Sequence, residues 1–123
     1  MDSARTLIRF LRQQGRTLSP LLILTHDHPD PDAIASAWTL SYLAKRLSGV
    51  ESRIVYGGMI GRVENQAMVR LLDIPVHPLR SRSDFRKFRA VALVDTQPCF
   101  GNNPFPKEDR ALCTCGSRLL PYA

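Results

Sequence analysis

The chain has 123 residues, 44% hydrophobic and 23% charged, which suits at most one globular domain with a real core and is short for an enzyme with a separate substrate domain. Its apolar runs fall far short of the roughly 20 residues that span a bilayer. The amino-terminal segment, interrupted by Arg5, Arg9 and Arg12, does not read as a signal peptide, so no membrane partner and a cytoplasmic setting are expected. The net charge of +6 is carried partly by Arg80, Arg82, Arg86, Lys87 and Arg89, which face only Asp84. That run is either a solvated face or an attractor of polyanions such as nucleic acid.

In chain order, residues 3–14 carry Leu7, Ile8, Phe10 and Leu11 at helical spacing, with Ser3 as the expected N-cap and Gly15 as the expected stop. "LLILT" (21–25) is a short continuous apolar run, the pattern of a strand buried on both faces. Asp32 is the expected cap of a long helix running to about Leu47 and closed by Gly49. A second strand is expected over 52–58, a helix over 62–72, a short strand at most in "IPVHPL", a brief helix over 83–88 and a buried strand over 90–94. Strands alternating with helices predict an α/β fold, a parallel sheet flanked by helices. After Pro98 no element is convincing. Cys99, Cys113 and Cys115 have neither zinc nor redox spacing.

In open parallel sheets ligands gather beyond the carboxyl ends of the strands. That brings the loop after 21–25, which begins at His26, toward the loop after 90–94, which begins at Asp95. His26, Asp30 and Asp32 offer one imidazole and two carboxylates, a donor mix suited to manganese and similar divalent ions. Pro29 and Pro31 stiffen the loop in an extended shape, in which Asp30 and Asp32 face the same way. A turn leading into a helix explains the prolines and Asp32, but not His26 at a strand end together with Asp30 and a later strand-end Asp95. Asp27 and His28 alternate away from the shared centre. His77 reads as a surface or packing residue.

The run His26-Asp27-His28-Pro29-Asp30-Pro31-Asp32-Ala33 resembles the first motif of the DHH phosphoesterase family, His-x-x-Pro-Asp-x-Asp-Ala. "ALVDTQP" around Asp95 resembles the second, an Asp ending an apolar strand. "FGNNP" (100–104) and "GRVENQAM" (61–68) are similar to the oligoribonuclease-like branch. The family includes RecJ-type exonucleases, nucleases of short oligoribonucleotides that also dephosphorylate phosphoadenosine phosphate, and cyclic-dinucleotide phosphodiesterases. The resemblance implies a Rossmann-like domain holding two manganese ions, with His26 and Asp30 on one, Asp32 on the other and Asp95 bridging both. Such a pair activates water for in-line attack on phosphorus. It makes Asp30, Asp32 and Asp95 the catalytic set, with Arg62 and Asn65 as substrate-binding candidates. The implied activity is hydrolysis of phosphodiester or phosphomonoester bonds in short oligonucleotides or small nucleotides.

The likeness covers about residues 20 to 106. No Asp-His-His follows, since His26, His28 and His77 are the only histidines. The expectation is therefore the N-terminal part of a DHH domain over 1–106, truncated before its naming motif, with a divergent, poorly ordered tail over 107–123. Such a chain would bind metal weakly, or one ion only, and would be impaired in turnover. It would also expose a sheet edge prone to self-association. Two alternatives stand beside it: an inorganic pyrophosphatase or exopolyphosphatase-like hydrolase, and a vestigial fragment that binds nucleotide without catalysis.

Overall fold

Leu21, Leu22, Ile23 and Leu24 are four aliphatic residues in a row with no exposed surface, as a strand covered on both faces requires. They form β1 (Leu21–Leu24), the middle of the sheet. The computed structural model describes residues 2–80, 82–96 and 118–121. Within them β1 pairs in parallel with β2 (Ser52–Tyr56) on one side and β4 (Ala90–Leu93) on the other. Beyond β2 lies β3 (Val76–Pro78), also parallel, and beyond β4 lies β5 (Arg118–Pro121), antiparallel. The order is β3-β2-β1-β4-β5. Helices α1 (Asp2–Leu18), α2 (Pro31–Ser48) and α3 (Val63–Leu71) and a 3-10 helix over Arg82–Lys87 complete an α/β fold with a parallel sheet flanked by helices.

The period of two along each strand divides the core. Ile23, Ile54, Ala90 and Ala92 face α1 and α2 and pack with Leu11, Leu18, Ala37 and Ala44. Leu22, Leu24, Val55, Val91 and Leu93 face the opposite way and pack around Phe85 of the 3-10 helix. A third cluster, Ile34, Ile60 and Ile74 with Met68 and Val69, seats α3 against α2.

Two sequence expectations about α1 are corrected. Ser3 lies inside the helix, and Gly15 does not stop it. The apolar period continues to Leu18, which is buried in the same cluster as Leu11. Gly15 faces the same way as both and is where α1 meets α2: a Cβ there would stand 2.6 Å from Ser48 Cβ and Oγ. The Ser48 hydroxyl donates to the Leu11 carbonyl at this crossing. Gly49, by contrast, is the helix stop that the sequence suggests, left-handed at φ 65°, its N–H donating to the Lys45 carbonyl.

The end of the chain also differs from expectation. Where no element was expected after Pro98, Arg118–Pro121 forms β5, with Leu119 opposite Ala92 and Leu120 opposite Val91. β5 thus pairs with β4 on the side away from β1. The "FGNNP" segment, the cysteines and the rest of residues 107–123 lie outside the described residues.

Candidate metal centre

The register of β1 and β4 builds the site. Leu24 stands opposite Leu93, and the Val94 N–H donates to the Leu24 carbonyl at 2.8 Å, carrying the pairing one step past the strand ends. Two residues beyond the paired leucines come His26 and Asp95, across a spacing of about 4.8 Å between strands. Their side chains meet: His26 Nε2 lies 3.6 Å from Asp95 Oδ2. From β1 the chain continues to β2 on one side while β4 lies on the other, so this is the point where the strand order reverses and open α/β sheets bind ligands.

Asp30 is delivered by the start of α2. Its backbone is extended (φ −87°, ψ 173°), its Oδ1 accepts the Ala33 N–H at 2.9 Å, and Pro31 occupies the first helical position. Asp30 is therefore the N-cap, which corrects the expectation that Asp32 caps this helix. A proline just inside the helix start needs no hydrogen-bond partner and sets the helical φ, so the capping carboxylate falls one residue before it. The cap holds Asp30 Oδ1 at 3.9 Å from His26 Nε2.

His26 is oriented from its other side. Nδ1 lies 2.8 Å from the Asp27 carbonyl. A carbonyl can only accept, so in this hydrogen bond Nδ1 is the donor, and the ring is held with Nε2 facing the two carboxylates. Metal-ligating histidines are held in this way by a second hydrogen bond. Donor atoms of His26, Asp30 and Asp95 all lie within 4.8 Å of one another. Ligands about 2.1 Å from an octahedral ion stand about 3.0 Å apart when adjacent and about 4.2 Å when opposite, so the three close on one ion with shifts of a few tenths of an ångström. The imidazole is 19% exposed and the carboxylates 55% and 58%, leaving the cleft open to a ligand.

Asp95 sits at φ 60°, in the left-handed region that Asp tolerates better than most residues.

Asp32 lies exposed in the first turn of α2 and is outside the three-donor set. Being helical, it no longer shares a direction with Asp30 as an extended loop would allow. Arg62 is the residue before α3 and makes no side-chain capping bond, while Asn65 is in the first turn of α3. Both lie after β2 at the same end of the sheet, and neither belongs to the cluster.

Strand-like alternation turns His28 away from the site, and in the structure it joins two loops. At φ 54°, it donates its N–H to the Gly57 carbonyl at 3.0 Å, and its Nδ1 lies 3.2 Å from the Met59 N–H. The ring occupies the space a side chain on Gly58 would need, and Gly58 itself is left-handed at φ 67°. His28 thus ties the β1–α2 loop to the β2–α3 loop. The sequence signal was Gly57-Gly58, read only as a strand stop.

Compared with known proteins, the chain is 51% identical over 96 residues to an uncharacterized protein of Methanocaldococcus jannaschii, MJ1633. The alignment takes in 78% of this chain but only 20% of that protein, so the chain spans about a fifth of the relative it matches. No family model matches the chain. No solved structure matches it either. Among the described residues no helix is long and apolar enough to cross a membrane.

Proposed function

We propose that this chain carries a metal-binding part of a manganese-dependent phosphoesterase of the DHH type. It acts on phosphodiester or phosphomonoester bonds of short oligonucleotides or small nucleotides. The observation that carries the reading is the convergence of His26, Asp30 and Asp95, three residues of the His-x-x-Pro-Asp-x-Asp-Ala and strand-end Asp motifs, at the carboxyl ends of neighbouring parallel strands.

One imidazole and two carboxylates make a donor set for a borderline-to-hard divalent ion such as Mn2+. An ion held there supplies Lewis-acid polarisation of a phosphoryl oxygen and a lowered pKa for water. The chain's own contributions are positional. The Asp27 carbonyl orients the His26 ring, and the α2 cap fixes Asp30. The partial positive charge at the α2 N-terminus favours the anionic phosphate, and Arg62 and Asn65 are the side chains proposed to hold it. Three described donors support one ion, and Asp32 is the carboxylate proposed for a second. A cytoplasmic setting is part of the proposal, supported by the arginine-interrupted amino-terminal segment.

A second reading is a module that binds metal or nucleotide without turning it over, favoured by a described donor set that serves one ion where two-metal hydrolysis uses a pair. The test is release of phosphate or mononucleotide from a short oligoribonucleotide, from 3′-phosphoadenosine phosphate and from pyrophosphate, with Mn2+ and with EDTA. Slow Mn2+-dependent hydrolysis of the first two that disappears in Asp95→Asn supports the phosphoesterase. Preference for pyrophosphate moves the assignment to the pyrophosphatase-like alternative. Saturable Mn2+ binding without any turnover selects the non-catalytic module.

A further inference from the structure

Helix α1 carries arginine at positions 5, 9, 12 and 16, all exposed. At about 100° per residue these four fall within an arc of about 60°, on the side opposite Leu7, Leu11 and Leu18. Along the axis they span about 16 Å, at steps of about 4.5 to 6 Å. The only acidic residue of α1 is Asp2, at its first position. Among the described residues none of the four arginines forms an ion pair.

A merely solvated helix face usually mixes signs, because opposite charges at i,i+3 and i,i+4 support the helix and like charges weaken it. Here every such neighbour along the row is a like charge, and Arg5 also opposes the positive end of the helix dipole. A row kept under those conditions suits an anionic partner with repeated charges. Arginine rather than lysine suits phosphate, which its planar fork binds in bidentate fashion.

The neighbouring helix adds a second, independent feature. α1 and α2 cover the same face of the sheet and cross at Gly15 and Ser48. The outer side of α2 presents Trp38 and Tyr42, one helical turn apart, 38% and 63% exposed around a shallow depression. Exposed aromatics on one helix and a row of cations on the helix next to it are the parts of a surface for single strands, where bases stack and phosphates are neutralised. An anionic membrane fits less well, since a helix that lies on lipid needs its apolar face free and here Leu11 and Leu18 are in the core.

We propose that the outer surface of the α1–α2 layer binds single-stranded nucleic acid, with Arg5, Arg9, Arg12 and Arg16 on phosphates and Trp38 and Tyr42 stacked on bases. This surface is separate from the metal cleft, so it stands or falls independently of the phosphoesterase reading.

The test uses the full chain in EDTA, which removes any metal-dependent binding, and a fluorescein-labelled oligoadenylate of about twelve nucleotides, a length within the range of single-strand sites. Trp38 is the only tryptophan, so its fluorescence reports stacking directly. The expected results are saturable anisotropy, quenching of Trp38, and a slope of log affinity against log salt near −3, at about −0.7 per phosphate for four contacts. Arg9→Ala/Arg12→Ala, on an exposed face, keeps the fold and brings the slope to about −1.5, while Trp38→Leu weakens binding by on the order of tenfold. Absence of binding overturns the proposal, as does equal affinity for a blunt duplex. Binding to vesicles rich in anionic lipid with no Trp38 quenching by the oligonucleotide overturns it in favour of a membrane surface.

Discussion

Asp30 does two jobs that one pair of substitutions separates. Its Oδ1 caps α2 through the Ala33 N–H at 2.9 Å, and the same carboxylate is one of three donors around the candidate metal position. Asp30→Asn keeps a side-chain oxygen for the cap, and Asn is as good an N-cap as Asp, so stability should stay within about 0.5 kcal/mol. Asp30→Ala removes the cap. N-cap losses of this kind cost about 1 kcal/mol, within a range of about 0.5–2. The charge–dipole part is small here because the side chain is 55% exposed and screened. The expected fall in melting temperature is about 3–6 °C for a domain of this size. Urea denaturation followed by circular dichroism gives the stability, and Mn2+ titration gives the affinity. Asp30→Asn should lose tenfold or more in Mn2+ affinity at wild-type stability, and Asp30→Ala should lose both. If Asp30→Ala unfolds at the wild-type midpoint, the cap is not what holds this carboxylate. If Asp30→Asn binds Mn2+ as tightly as the wild type, Asp30 is no ligand.

The two glycines with crowded Cβ positions give further tests. Gly15→Ala should gain up to about 1 kcal/mol in helix propensity but lose more through overpacking against Ser48, for a net loss of about 1–2 kcal/mol in urea denaturation, and Gly15→Ala/Ser48→Gly should recover part of it; stabilisation by Gly15→Ala alone would show that the helices do not cross here. Gly58→Ala combines a left-handed backbone with a side chain placed into the His28 ring, so a loss of about 1–3 kcal/mol and a weaker Mn2+ affinity are expected, whereas an unchanged affinity would mean that the His28 link does not position the metal loop.

The strands were legible in the sequence because "LLIL" and "AVAL" are too short and too continuously apolar for surface helices, and their alternation with helical segments is what a parallel sheet produces. The meeting of His26 and Asp95 was legible for the same reason: once two strands run parallel, their carboxyl ends share a region. What escaped depended on contacts between residues far apart in the chain. Gly15 reads as a stop in isolation and is a close-approach residue only because Ser48 lies against it. The pairing of β5 with β4 depends on a register that no local pattern states. The Asp30 cap is legible in the sequence, since Pro31 at the first helical position marks the residue before it. The position of the cap shapes the site, because an Asp32 cap would leave Asp30 in an extended loop with Asp32 beside it, whereas the observed helix start separates the two.

The central claim is that His26, Asp30 and Asp95 form a divalent-metal site, and Mn2+ titration of the full chain, followed by loss of the free-ion electron paramagnetic resonance signal, tests it most directly. Asp95→Asn is the matched control, because Asn also tolerates the left-handed backbone at φ 60° and leaves the strand pairing intact. One saturable Mn2+ site in the wild type, weakened tenfold or more in Asp95→Asn at equal stability, is the expected result. No saturable site in the wild type, or the same affinity in both proteins, contradicts the claim.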